Sequence, residues 1–380
     1  MITPLEKIRE LIKKNKLDAA LISSVSNIIY LTNYSGFSKE EREVYLFITK
    51  NEQYILTDGR YATAVKTLIP DFELIEISPK NSIREILKNL QAKHKLKKIG
   101  FEGHNMTHLE HKKITQALGK IFHVDLGSLR ITKNPEEIYK IESACKLGDK
   151  TFDYVLKKIR LGVSEKEISN DIEFFIKGQG GDISFKPIVA FGANSTLPHH
   201  VPSNRKLKTD NIVLLDFGVK LDNYCSDMTR TIFFGKANAE FKKMYETVLK
   251  SQKLAIEKLN IPISQYPNIR ASQIDKVARD YIISKGYPTI PHSLGHGIGI
   301  EVHEDPHLSP KSKDILKEGM VFSVEPGIYL PADLSTETFA KGEASARVGL
   351  PGGVRIEDLV VLEKSGPRLL THSLRDIIEI

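Results

Sequence analysis

Cysteine is scarce in this sequence: Cys145 and Cys225 are the only two in 380 residues, and they lie far apart. A disulfide-held secreted framework is therefore excluded, and a reducing cytoplasm is the expected compartment. No uncharged apolar run approaches membrane-spanning length, so no membrane partner is expected. The opening residues, Met1-Ile2-Thr3-Pro4-Leu5-Glu6, pass straight into an amphipathic helix pattern. They lack a basic region followed by an apolar one, so they do not read as a signal peptide. Low-complexity tracts and obvious internal repeats are missing too. The net charge is +7 with a pI near 9.0, yet no aromatic-rich basic ribbon accompanies it. The lysines are scattered between apolar positions, as in Ile8 to Lys16 and Leu87 to Lys98. They read as solvated helix faces, and no nucleic-acid partner is expected.

What remains is the composition of a folded chain, 41% hydrophobic and 27% charged, too long for a single core. Residues 1–127 alternate between helix and strand patterns. Pro4 to Asn15 reads as a helix, Ala19 to Ile22 as a strand, and Asn27 to Thr32 as a further apolar segment. Val44 to Ile48 and Tyr54 to Tyr61 are strand-like, and Lys98 to Phe101 is a further strand. Helical periodicity covers Ser82 to Lys93 and Thr107 to Leu118. This alternation argues for an α/β domain. It holds no Gly-rich phosphate loop and no ligand cluster, which suits scaffold, specificity or oligomerisation roles.

A boundary falls at the segment 129–135, where Asn134 is a plausible N-cap with Pro135 at the first helical position. Residues 128–380 form the second domain. Long helices run to Lys158 and from Ser164 to Lys177. Strands and turns follow from Ile188, broken by helices at Ala239 to Leu259 and Ala271 to Lys285.

The chemistry lies in this second half. Asp216, Asp227, Glu325 and Glu357 each end or interrupt an apolar strand, and His296 sits in the Gly-rich turn Leu294-Gly295-His296-Gly297. Carboxylates are expensive in such surroundings unless a cation joins them. Four carboxylates around one imidazole carry about four negative charges, which two divalent cations neutralise. If the turn after the Asp216 strand centres between Leu221 and Asp222, Asp216 and Asp227 stand directly opposite each other, with Cβ atoms roughly 4.5–5.5 Å apart. Two blander readings compete: Asp227 as an ion-pair partner of Arg230, and Arg355 with Glu357 as a structural salt bridge. Strand alternation puts Arg355 and Glu357 on one face and Asp358 on the other. A carboxylate-rich donor set favours Mn over Co or Zn. His303 follows seven residues after His296; His292 and His307 read as ordinary core or surface histidines, though His292 is near enough to line a pocket. The loop Phe191 to Pro198 leads into His199 and His200.

In this order these segments resemble the pita-bread metallopeptidases, the family of aminopeptidase P, prolidase, methionine aminopeptidase and creatinase. The resemblance is carried by residues 130–380, and the first 127 residues look like the N-terminal domain shared by several members. It implies an α+β pita-bread catalytic domain behind an α/β creatinase-type domain. It also implies a dinuclear site in which Asp227 and Glu357 bridge, Asp216 chelates one ion, and His296 with Glu325 holds the other. His199 and His303 then match residues that position substrate and stabilise the transition state, and Glu325 becomes the proton shuttle. His292 and Arg355 are expected to contact substrate.

The implied activity is hydrolysis of the Xaa-Pro bond of a proline-containing peptide by a homodimeric enzyme. Aminopeptidase action is the first expectation and dipeptidase (prolidase) action the alternative. A non-catalytic binding protein on the same fold is a third reading, opposed by the complete ligand set. The segment between residues 330 and 351 is longer than in many relatives, and its Arg347 could meet a dipeptide carboxylate or simply be solvated.

Overall fold

The computed structural model describes residues 2–260, 269–331 and 351–380. Arg347 and most of the long segment around it lie outside the described residues. Two units divide the chain, Met1–Arg130 and Ile131–Ile380.

In the first unit α1 (Pro4–Lys14) begins with a reciprocal cap between Thr3 and Glu6 and ends before β1 (Ala19–Ile22). There follow α2 (Val25–Thr32), β2 (Val44–Thr49), β3 (Gln53–Asp58), α3 (Ala62–Leu68) and β4 (Glu73–Ile77). The unit is completed by α4 (Ile83–Lys93), β5 (Ile99–Phe101), α5 (His108–Leu118) and β6 (Ile121–His123). The strands form one sheet in the order β4-β3-β2-β1-β5-β6. Its β1–β2 and β2–β3 pairs are antiparallel, and β3–β4, β1–β5 and β5–β6 are parallel. Leu21, Phe47, Tyr54 and Leu56 on the strands pack with Ile86, Leu87 and Ile114 from the helices. Asn27 to Thr32 is helical. Ser24 makes no side-chain cap for it; instead the buried Glu102 accepts from Ser24 N at 2.7 Å.

The second unit opens with α6 (Pro135–Leu156) and α7 (Glu165–Gly178), capped by Asn134–Glu137 and Ser164–Glu167 boxes. Next come β7 (Asp182–Ile183), β8 (Ile188–Phe191), a 3₁₀ turn at Gly192–Thr196, β9 (Asn211–Phe217), β10 (Val219–Leu221), β11 (Tyr224–Cys225) and β12 (Met228–Phe234). Helices α8 (Ala239–Leu259) and α9 (Ala271–Ser284) separate these from β13 (Gly295–Gly297), β14 (Glu304–Leu308), β15 (Val321–Val324) and β16 (Gly327–Leu330). The last strands are β17 (Gly352–Arg355), β18 (Asp358–Glu363) and β19 (Gly366–Leu369). Antiparallel β12-β9-β8 and β14-β13-β15-β18-β19 are the principal sheets, with β11-β10-β7 and β16-β17 as smaller ones.

Each helix pair has its own apolar cluster. Phe152, Ile168 and Ile172 of α6 and α7 pack on Val213, Leu215 and Ile232. Val248, Ile274 and Ala278 of α8 and α9 pack on Phe322, Val324 and Val360. Strand β9 feeds both clusters, because Ile212 joins the second while Val213 and Leu215 join the first. Buried on both sides, its sequence is a continuous apolar run rather than an alternating one. That is why an acid at its end stands out.

One expectation about the β9–β12 hairpin is corrected. The turn centres on Asp222 and Asn223, both with positive φ (47° and 71°), as the favoured two-residue hairpin loops require. The register is Leu221 opposite Tyr224 and Asp216 opposite Thr229, so Asp227 is not the residue facing Asp216. Moving the turn by one residue shifts each cross-strand partner by two, which preserves faces. Asp227, two residues before Thr229, therefore stays on the side of Asp216, diagonally placed.

Candidate metal centre

The five donors arrive from separate strands. Asp216 is the penultimate residue of β9, Asp227 immediately precedes β12, and His296 is the middle of β13. Glu325 follows β15, and Glu357 lies between β17 and β18. The glycines flanking His296 make this possible: a Cβ on Gly295 would lie 1.9 Å from Ser323 O, and one on Gly297 would lie 2.1 Å from Asp305 O. Neighbouring backbone thus passes where side chains would otherwise stand.

All nine residues singled out above line one cavity of about 910 Å³: Asp216, Asp227, His296, Glu325, Glu357, His199, His292, His303 and Arg355. The exposed His307 lines it as well. Ligand atoms of Asp227, His296 and Glu357 all lie within 4.8 Å of one another. His296 Nε2 is 3.4 Å from Glu325 Oε1 and 3.6 Å from Asp227 Oδ2.

Electrostatics decides what this cluster is. Burial, then the nearby Asp216 and Glu325, hold the Asp227 carboxyl well above its usual range. Burial, then Asp227 and Glu325, do the same to Glu357. Glu325 is pushed up to about 8, chiefly by burial. Asp216 is raised by burial against the opposing pull of Arg355. His296 is lowered to about 4 by burial, with His303 adding to it, so its imidazole is neutral. Its short approaches to Asp227 and Glu325 are therefore not ion pairs. With Nδ1–H donated to Gly297 O at 3.1 Å, the Nε2 lone pair faces the Asp227 and Glu325 carboxyl groups, an arrangement that needs a proton or a cation between them.

Asp216 Oδ1, Asp227 Oδ1 and Glu357 Oε1 are buried with no hydrogen-bond partner among the described residues. Each uncompensated buried ion costs several kcal/mol, whereas a fully buried Val or Leu returns only about 1.5–3 kcal/mol. Cations among these atoms would satisfy the orphaned oxygens and the lone pair together, so the residues present fit a metal centre.

The candidate donors are held from behind by Thr229, Ser323 and Tyr329, which the sequence did not single out, and by Arg355 and His292, which it did. Thr229 Oγ1 donates to Glu357 Oε2 at 2.8 Å and accepts from Arg355 Nε at 3.1 Å. Ser323 Oγ accepts from His296 N and donates to Glu325 Oε1, both at 3.1 Å. Arg355 Nη2 pairs with Asp216 Oδ2. Arg355 Nη1 donates to Tyr329 at 2.7 Å, and the Tyr329 hydroxyl donates to His292 Nε2 at 2.9 Å. His292 Nδ1–H donates to Ser293 O at 2.8 Å, the tautomer this chain of bonds selects. Strand parity was the available signal for Thr229, which shares the face of Asp227. Arg230 pairs with Asp358 at 2.6 Å and not with Asp227; Asp358 thus turns away from the cavity, opposite to Arg355 and Glu357.

Fold and site together define a peptidase of the pita-bread type, whose five-residue carboxylate and imidazole set suits divalent cations. Residues 139–364 match the model of metallopeptidase family M24, and residues 4–131 match the creatinase/prolidase N-terminal domain. The chain belongs to this metallopeptidase family, with an α/β creatinase-type unit ahead of the α+β pita-bread unit, and its similarities favour the prolidase branch.

The Xaa-Pro dipeptidase of Pyrococcus horikoshii is 33% identical, covering 98% of both chains. Among solved structures, an Xaa-Pro dipeptidase from Bacillus anthracis superposes with a TM-score of 0.87 at 31% identity, covering 99% of each chain. An X-Pro aminopeptidase from Thermotoga maritima superposes with a TM-score of 0.84 at 31% identity, again over 99% of each. Among the described residues no helix is long and apolar enough to cross a membrane.

Proposed function

We propose that this chain is an Xaa-Pro dipeptidase, hydrolysing the bond before a proline that carries the free carboxylate. The observation that carries the chemistry is the cluster of buried, unpartnered carboxylate oxygens around a neutral imidazole on one cavity wall. The names of the relatives support dipeptides over the aminopeptidase action expected first. Lys166 and Lys186 line the same cavity. Neither forms an ion pair among the described residues, so the wall offers cations to a free carboxylate. Aminopeptidase action remains the second reading, supported by the likeness to the Thermotoga structure.

Asp216, Asp227, His296, Glu325 and Glu357 would hold two divalent ions, Mn by preference for an oxygen-rich donor set. Such ions supply Lewis acidity to the scissile carbonyl and bring water to a nucleophilic state at neutral pH. Glu325, with Oε1 fixed by Ser323 and a pKa near 8 before the cations act on it, is placed to take a proton from water. It would return that proton to the leaving proline nitrogen.

His303, exposed on the cavity wall, donates N–H to the developing oxyanion, and His199 positions the substrate. Arg355, first expected to contact substrate, already donates from Nε, Nη1 and Nη2 to Thr229, Tyr329 and Asp216. We assign it to setting Asp216. His292 is likewise engaged at both nitrogens and serves as a wall. A second copy of the chain as partner belongs to the same proposal.

The deciding experiment compares Xaa-Pro dipeptides with longer Xaa-Pro peptides in Mn²⁺, Co²⁺ and Zn²⁺. Cleavage restricted to dipeptides supports the proposal, equal or better cleavage of longer peptides supports the aminopeptidase, and no cleavage with any metal rejects both.

A further inference from the structure

Glu165 lies outside the ligand set and outside the cavity lining, yet its side chain is fully buried with no lysine or arginine as a partner among the described residues. Five donors converge on it. Oε1 accepts from Phe191 N and Asn194 Nδ2, both at 2.8 Å. Oε2 accepts from Ser203 N at 2.9 Å and Ser203 Oγ at 2.6 Å. His200 Nε2, in the tautomer carrying its proton there, donates to Oε2 at 2.9 Å. Burial pushes this carboxyl up, but the donors on Ser203, His200 and Phe191 outweigh it and hold it below its ordinary range. It therefore remains an anion, the stronger acceptor.

Glu165 is not needed to start its helix. α7 is already capped by the reciprocal Ser164–Glu167 pair, which leaves the Glu165 carboxylate for the neighbouring loop. Its partners bracket the stretch that carries His199: Phe191 and Asn194 precede it, and His200 and Ser203 follow it. The loop between has a single 3₁₀ turn, Gly192–Thr196, and no strand before β9. A second anchor holds its middle, where Ser195 Oγ donates to Gly192 O at 2.6 Å and accepts from Gly353 N at 2.8 Å. His199 itself is exposed on the cavity wall, so its position is set by how the loop is pinned at either end.

We propose that Glu165 is the positioning residue for His199, a buried carboxylate that clamps both ends of the 191–203 segment and so fixes that imidazole over the substrate. This rests on the reading of His199 as a substrate-contacting group. The clamp explains why a carboxylate, and not an amide, stands there: five donors need an acceptor on both oxygens, and an amide would turn N–H groups against one set of them.

The test is a double-mutant cycle in metal-loaded protein, with Glu165→Gln, His199→Ala and the double variant assayed on an Xaa-Pro dipeptide. Glu165→Gln is expected to lower kcat/KM about tenfold in the wild-type background and less than about threefold beside His199→Ala, because the two act through one element. Glu165→Asp, which keeps the charge, recovers part of the loss, and metal content matches wild type throughout. Amide exchange at Phe191 and Ser203 quickens in Glu165→Gln. Equal losses in both backgrounds, or wild-type kcat/KM in Glu165→Gln, overturn the proposal. Should the wild-type protein cleave no Xaa-Pro peptide, the functional reading fails separately; unchanged exchange at Phe191 and Ser203 then overturns the clamp on its own.

Discussion

Asp216 stands opposite Thr229 across the β9–β12 ladder, and Asp227 lies diagonal to it on the same face. The two acids are thus close enough to repel and offset enough to leave room between them. With Glu325 and Glu357 added, the metal-free site is a store of unfavourable charge. Asp227→Asn removes one charge without changing shape. The metal-free variant is expected to melt above metal-free wild type at pH 8, by about 2–4 °C for each kcal/mol of repulsion relieved. After exposure to Mn²⁺ and desalting it retains fewer ions than wild type and loses hydrolysis. Metal analysis beside thermal melts checks both, and wild-type metal content with full activity would sink the dinuclear reading.

The same charges give a pH dependence whose sign can be worked out. The Glu325 carboxyl, at about 8, and those of Asp227 and Glu357, raised well above normal, bind protons more tightly folded than unfolded. Their stabilising contribution is full below the unfolded value of roughly 4 and is lost as pH rises through the folded one. His292 and His296, each lowered to about 4 by burial, run the other way. Their contribution is present above the ordinary value of 6.5 and lost as pH falls toward 4. Between pH 6.5 and 8 the carboxyls therefore dominate. Metal-free protein should lose Tm across that window, while the Tm increment given by Mn²⁺ grows as cations replace protons. Calorimetry with and without chelator reads both slopes, and an increment that shrinks with pH contradicts the assignment.

Why some of this was legible beforehand and some was not follows from the residues. An acid in Ile212-Val213-Leu214-Leu215-Asp216 breaks an apolar run, and its cost has few remedies, so the five donors announce themselves. Thr229, Ser323 and Tyr329 do not, because an uncharged polar residue in a strand is ordinary until its partner is known. Glu165 is one more acid in a helix's first turn, where acids are common for dipole reasons, so nothing in the sequence marks it out. Asn27 to Leu31 of α2 are all buried, and the apolar run Ile28 to Leu31 within them fits helix and strand alike. The hairpin turn lies one residue further along than expected, because Asp222-Asn223 supplies positive φ without the Asn-Gly signature; partners shift by two, so the faces survive.

Arg230 offers a test of the scaffold behind the ligands. It is 1% exposed and donates to Asp358 Oδ1 and Glu357 O, both at 2.6 Å, to Ser373 O at 2.9 Å and to Leu374 O at 3.1 Å. Arg230→Ala leaves Asp358 charged and buried without its cation, at a cost of about 3–5 kcal/mol. That corresponds to a fall in Tm of roughly 6–20 °C. Replacing both partners, as in Arg230→Met with Asp358→Leu, recovers much of the loss because no orphaned charge remains. Denaturant melts of the three proteins decide it; a single variant as stable as wild type would mean that the Arg230–Asp358 pair does not hold this scaffold.

His303 separates binding of metal from turnover. Its ring centroid is 4.3 Å from that of His296, yet it is not in the tight ligand group of Asp227, His296 and Glu357. Burial, then His307 and His199, lower its pKa, so at neutral pH it is an uncharged N–H donor on the cavity wall. A donor of that kind matters only when charge develops on the scissile carbonyl oxygen, and losing one typically costs about 10²–10³ in kcat. His303→Ala should therefore keep the wild-type metal content and a KM near the wild-type value while kcat falls by about that factor. His296→Ala, by contrast, should release metal. If His303→Ala loses its ions as His296→Ala does, His303 is a ligand and the division of roles along β13 and the turn after it must be redrawn.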